Sequence, residues 1–318
     1  MPRSGSPFTG TGIVLAKEAA DQLSGTRMVV IEALVFLIAL ALAWFSTLTI
    51  RESIGQSPFL FLRLLTMAPD PIPFSFIEMV GLVTPIIAIA LGFDAVNAEF
   101  NQRTLSRILA QPIYRDALLL GKFLARLLAL AIALLSLWLL VLGVGFLRLG
   151  LPPSGEELVR MLGFLVATIA YGGVWLAVAF LFSILFRAPA TAALGALGLW
   201  LVFSFFWLLL ISPLAATLIA GPPENIFGPN IEYIQTSQAL DRVSPNKLYN
   251  EIAIALLHPE ARSTGVLLFY TRGMLLGAPL PAAQSFILVW PQITGLIAAM
   301  ILIFAVGYIV FQRQEIRA

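Results

Sequence analysis

The chain has 318 residues, 59% of them apolar and only 11% charged, against about 25% charge in an ordinary soluble domain. No soluble interior of this size hides that much apolar surface, and disorder requires the opposite composition, so the chain reads as an integral membrane protein. The net charge of +2 comes without a basic cluster suited to nucleic acid, and the absence of Cys beside a single His258 excludes disulfides, thiolate metal sites and multi-histidine centres within one copy.

At the N-terminus, Arg3 is followed by Ser, Gly and Thr rather than an apolar run, so no cleaved leader is expected. Segment 12–27 puts Ile13, Ala16, Ala20 and Leu23 near helical spacing, with Lys17, Glu18 and Asp21 between them. That pattern predicts a short amphipathic helix on the cytoplasmic surface, with a frayed terminus as the alternative. Six stretches then have the roughly 20 apolar residues a helix needs to cross a bilayer: about 28–50, 75–95, 118–147, 160–186, 190–219 and 285–311. Backbone groups in lipid must be satisfied internally, and the ten-residue alternation of barrel strands is absent, so the expected fold is all-α with six transmembrane helices. Neither an internal repeat nor a second domain is visible, which makes 1–318 a single transmembrane domain.

An even number of spans places both ends on one side. That side carries ten Lys and Arg, against four in the short loops opposite, so both termini are expected in the cytoplasm of a multi-pass cell-membrane protein. Segment 51–74, with Pro69, Pro71 and Pro73, reads as an extended outer loop. The longer segment 220–284 opens with GPPEN and FGPN. It then signals a helix at Ser244-Pro245, an N-cap followed by Pro at the first helical position. Leu248, Ile252, Ala255 and Leu256 give this helix, 246–257, an apolar face that suits the outer ends of the spans.

Ionisable residues deep in a span are costly and usually functional. Glu32 and Glu78 lie near span ends, within reach of an interface, and Asp94 and Arg126 lie near cytoplasmic ends where snorkelling or helix-end contacts suffice. The midplane carboxylate or broken polar helix of an ion-coupled carrier is not evident. Nor is a phosphate loop: Gly121-Lys122 is followed by Phe123 and lacks the earlier Gly. Glu156-Glu157, flanked by Pro and Gly, reads as a solvated loop. His258 has no nucleophile or acid to work with and reads as a helix-terminal residue. The chain itself is therefore not expected to be an enzyme, and energy for uphill movement would come from a partner.

The most informative stretch joins the second and third spans, GFDAVNAEFNQRTLSRILAQPIYRDALLLGKFLAR (92–126). Phe100, Thr104, Leu105, Ile108 and Leu109 share one face of a predicted short helix, about 96–110, while Arg103 and Arg107 present cations on another. Pro112 ends it, because the residue before Pro is disfavoured in the helical region. A helix parallel to the membrane with basic residues directed away from it could couple a cytoplasmic partner to two spans. A solvated linker obeying the positive-inside rule is the alternative.

The run TPIIAIALGFDAVNAEFNQRTLSRILAQPIYRDALLLGKFLA resembles the membrane subunits of ABC-2 type transporters, in Glu99, Thr104-Leu105, Ile108-Leu109, Pro112 and Gly121-Lys122. The Lys17-Glu18 helix running to Arg27 resembles that family's N-terminal connecting helix, and Ser244-Pro245 with Leu248-Tyr249 resembles an outer-loop motif. Within the family the chain resembles the membrane subunit of the transporter that matures nitrous oxide reductase. Asn101-Gln102-Arg103 departs from it, standing where relatives often carry a Gly before the Thr. The resemblance implies a permease with the six-helix exporter fold. Two copies would act with two separate ATPase subunits, which would hold the ATP and magnesium; no cofactor is expected in this chain. It further implies that Glu99, Arg103, Thr104, Leu105, Arg107, Pro112 and Lys122 transmit force from the ATPase, with Lys17, Glu18 and Arg27 nearby. An extracytoplasmic protein could engage the 220–284 segment. Trp200, Phe203, Phe206 and Trp207 are candidates to line a hydrophobic path, although such residues more often pack or face lipid. A membrane-embedded scaffold without transport and a secondary carrier remain as other readings.

Overall fold

The computed structural model describes residues 10–51, 59–70, 72–101, 115–225, 228–260 and 279–313. Helix α1 (Thr11–Ser24) breaks at Gly25 before α2 (Thr26–Arg51), the first span. Short α3 (Leu60–Thr66) precedes α4 (Phe76–Gly92), and a turn at 93–96 leads into α5 (Asn97–Asn101). The third and fourth spans are α6 (Arg115–Leu149) and α7 (Gly155–Leu185). The fifth is composite: α8 (Pro189–Leu201), a π-helical stretch Val202–Ile211, and α9 (Ser212–Ala220). Two-residue strands β1 (Glu224–Asn225) and β2 (Gly228–Pro229) pair antiparallel, and α10 (Ile231–Asp241), α11 (Pro245–Leu257) and the sixth span α12 (Ala282–Arg313) complete the described chain.

Among the described residues, six helices are long and apolar enough to cross a membrane. The fold is accordingly an almost entirely helical, multi-pass membrane protein. The fourth span is its axis, with 83% of its most apolar stretch buried, while the fifth and sixth have only 11% buried. The second and sixth spans pack along the fourth, and α11 wedges against the far ends of the fourth and sixth. Its buried face includes Ile252, Ala255 and Leu256, joined by Tyr249 and Glu251. Ser244 occupies the N-cap position of α11, but its hydroxyl donates to the Phe203 carbonyl in the fifth span at 2.8 Å, tying the two elements together.

Two features differ from the expectations above. The outer loop is not wholly extended: α3 buries Phe61, Leu62, Leu64 and Leu65, because seven mostly apolar residues without a lipid-spanning length must find cover in the protein. Glu156-Glu157 is not a solvated loop. Both lie in the first turn of α7, and Glu157 is 3% exposed. Its carboxylate completes a capping box with Ser154 and also accepts from the Phe61 and Leu62 amides at 2.8 and 3.4 Å, so one carboxylate caps two helix starts.

Candidate functional site: the foot of the second and third spans

Span two ends at Gly92 with carbonyls that have no partner in its own helix. Arginines from its neighbours supply donors. Arg126 Nε donates to Leu91 O at 2.9 Å, and Arg27 donates to Ala90 O at 3.1 Å while pairing with Asp94 at 2.8 Å. Both cations also oppose the negative end of the helix dipole. Arg126 does not snorkel; its side chain is 5% exposed. Arg27 lies in the first turns of span one, beyond the end of α1 at Ser24, so the connecting helix is shorter than 12–27.

The chain then turns into α5, which is pinned to the fourth span. Ser183 Oγ accepts from the Val96 and Asn97 amides at 2.8 and 3.2 Å. The Asn97 and Asn101 side chains donate to the Phe186 and Arg187 carbonyls at 3.4 and 2.9 Å. The entry to the loop is therefore fixed by a hydroxyl and two carbonyls at the foot of a different span.

Four charges converge at this point. Lys122 Nζ lies 2.7 Å from Glu99 and 3.1 Å from Glu18, and Arg126 lies 3.2 Å from the other Glu18 oxygen. The Lys122 side chain is 4% exposed and that of Glu18 13%. Two cations facing two carboxylates leave no net charge, which is the condition under which buried ions are tolerated. Burial alone raises the Glu18 carboxyl, but Lys122 and Arg126 outweigh it and hold it below its ordinary value. The cluster requires α1 to approach the third span closely, and Gly121 permits this: a Cβ there would stand 2.8 Å from Val14 Cγ1 and 3.2 Å from Thr11 O. Val14 and Ala19 form the buried side of α1, whereas Ile13, Ala16 and Ala20 are exposed on the opposite side. Lys17 is exposed and pairs with Asp21 at 3.9 Å.

Of the residues singled out in the sequence, Glu18, Glu99 and Lys122 meet in one cluster, Arg27 reaches from span one to the end of span two beside it, and Lys17 stands apart. Arg103, Thr104, Leu105, Arg107 and Pro112 lie outside the described residues, as does most of the 96–110 helix; the described part is α5. Arg126 belongs to the cluster although the sequence pointed only to a helix-end role. Its signal was the i,i+4 pair Lys122/Arg126 inside an otherwise apolar span.

The aromatic candidates of the fifth span do not share a surface. Trp200 is buried, Phe203 and Trp207 stack at 5.2 Å with Trp207 Nε1 donating to Leu240 O, and Phe206 faces outward at 53% exposure.

Comparison with known proteins places this architecture. The family model for the ABC-2 family transporter protein matches residues 13–316. The chain belongs to that family. It is 27% identical over 305 residues to a probable ABC transporter permease protein NosY of Stutzerimonas stutzeri, covering 95% of this chain and 97% of that one. A probable ABC transporter permease protein NosY of Pseudomonas aeruginosa is 33% identical over 213 residues, 65% of this chain and 70% of that one. The matched region of the family model takes in α1 from Ile13 onward, the ionic cluster and all six spans. The protein is thus an ABC-2 permease, a class that works with an ABC ATPase partner.

Proposed function

We propose that this permease converts ATP hydrolysis on a separate ATPase subunit into movement of its spans, through the foot of the second and third. Movement is outward, a reading that the resemblance to exporters supports, and the termini are cytoplasmic in a cell membrane. Two copies of the chain work on two ATPase subunits, which hold ATP and magnesium. The output is transport across the bilayer, or mechanical work on an extracytoplasmic partner reached through 220–284, as in maturation of an enzyme outside the cytoplasm.

The observation that carries this reading is the buried Glu18–Lys122–Glu99–Arg126 cluster. It joins α1, the entry of the loop and the third span, so a push on the loop near Glu99 is borne by two spans and a surface helix rather than absorbed by a soft hinge. Arg103 and Arg107, one helical turn apart in sequence, then supply the charged surface for the ATPase. The test is purification in a mild detergent followed by turnover measurements in nanodiscs. The expected result is a stoichiometric subunit with a phosphate-binding loop. Lys122→Gln should retain that subunit and the six inserted spans while coupled ATPase activity falls roughly tenfold, the usual scale of an intersite coupling energy. Full coupling in Lys122→Gln would remove the cluster from the path. A chain that captures no ATPase even after crosslinking at Arg107 would point to a scaffold instead.

A further inference from the structure

A cavity of about 200 Å³ opens on the side away from α1, where the start of span two, the π-helical part of span five and α11 meet. Its lining combines Glu78, Ser204, Asn246 and Asn250 with the rings of Trp200, Phe205 and Tyr249. Few polar groups set among aromatic walls is the composition of a ligand site rather than of a packing defect. The π-helical stretch that brings Ser204 and Phe205 here is itself an arrangement that recurs at functional sites.

Ser204 places an unpartnered hydroxyl at the cavity. Its Oγ is buried and has no hydrogen-bond partner among the described residues, where a helical Ser commonly bonds back to its own carbonyls. The walls are held rigidly: Tyr249 stacks on Tyr171 at 4.5 Å, and Trp200 meets Phe205 edge-on at 6.2 Å. Asn246 is fixed by the Tyr171 hydroxyl, which donates to its Oδ1.

Charge decides the ligand class. Glu78 is the only ionisable carboxyl or base among the described lining residues, and Lys247 on the adjoining helix is paired with Asp241 at 3.6 Å. An anion would meet a carboxylate with no basic side chain to offset it. A soft metal would lack thiolate, thioether or imidazole, and for a hard one Glu78 is the single carboxylate, with no group of three acidic or histidine side chains to hold a metal among the described residues. An organic ammonium fits, because ring faces attract its charge, its alkyl part suits the aromatic walls and a single carboxylate neutralises it. We propose that this cavity binds an organic cation the size of an alkylammonium group, with Glu78 as counter-ion and Trp200, Phe205 and Tyr249 as walls. Such a group is supplied either by a lysine-like amine or by a quaternary choline-like head.

The test uses the full chain in nanodiscs of anionic lipid without choline, in the absence of any ATPase, so its outcome is independent of the coupling reading. Tryptophan emission is titrated with n-butylammonium and with tetramethylammonium, against sodium at matched ionic strength. A saturable change with one of the two organic cations is expected, and the tighter probe identifies the source of the group. Glu78→Gln keeps the capping box that Glu78 forms with Ser75, since Gln serves equally at that position. It should nevertheless raise the half-saturation concentration by about tenfold through loss of the counter-ion. Phe205→Leu, at an exposed wall position, should weaken binding without disturbing the fold. No saturation, an equal response to sodium, unchanged binding in Glu78→Gln, or a signal that persists in Trp200→Phe would each overturn the site.

Discussion

Glu18 shows how one carboxylate makes a surface helix part of the membrane domain. Each of its oxygens faces a cation of the third span, Lys122 at 3.1 Å and Arg126 at 3.2 Å. Replacing it by Gln leaves Arg126 near carbonyls alone and Lys122 with Glu99 as its remaining carboxylate partner among the described residues. Stranding part of a buried charge set costs about 2–3 kcal/mol, and Glu18→Gln is expected to lower the thermal midpoint in detergent accordingly. The pH dependence follows from the sign of the shift. The folded carboxyl titrates below its ordinary value of 4.5, so its contribution is fully present above that pH and is lost as pH falls through the lower folded value. The wild-type and Glu18→Gln midpoints should therefore differ at pH 7, show no change in that difference between pH 6 and 8, and converge in acid. A difference that survives unchanged in acid would mean that shape rather than charge seats α1.

At the scale of elements, Glu157 is the counterpart on the far side, since it caps both α7 and α3. Glu157→Ala strands the Phe61 and Leu62 amides at the buried start of α3 and undoes the capping box, at about 2–4 kcal/mol in all. The expected readout is local. Amide exchange across Leu60–Thr66 should accelerate by about a hundredfold, while the centre of the fourth span stays protected. Glu157→Gln, which keeps an acceptor oxygen, should lie close to wild type. The same two elements show what a sequence can carry. The spans were legible because lipid imposes length and apolarity on a contiguous segment, and the Ser244-Pro245 signal located α11 because the constraint is local. Helix α3 was not, because seven residues are too few for periodicity and its capping carboxylate lies 96 positions away. The ionic cluster was legible in part. Glu99 and Lys122 stood out through a family motif and Glu18 through its resemblance to the family's connecting helix, but their meeting depends on a contact across 104 positions that no local pattern encodes.

For the whole molecule, the distribution of burial bears on where the proposed second copy would pack. The fourth span is enclosed by the second and sixth, whereas the fifth keeps an open face on which Leu210, Leu214 and Leu218 recur at i, i+4 and i+8. Lipid would accept that face as readily as protein. The ten-residue π-helical stretch distinguishes it, because such geometry is rarely sustained on its own and lipid offers its backbone nothing. Part of the stretch is braced from within, by Ser244 on the Phe203 carbonyl and by Trp207 on Leu240, but Phe206, Leu209 and Leu210 face outward. A neighbouring copy packed there would brace the other side. The chain has no Cys, so single substitutions report contacts without interference. In native membranes, Leu214→Cys is expected to form a disulfide-linked dimer on mild oxidation. Ile287→Cys, at a similarly exposed position of the sixth span, is expected to remain monomeric. The reverse pattern would move the interface to the sixth span and leave the π-helical face to lipid.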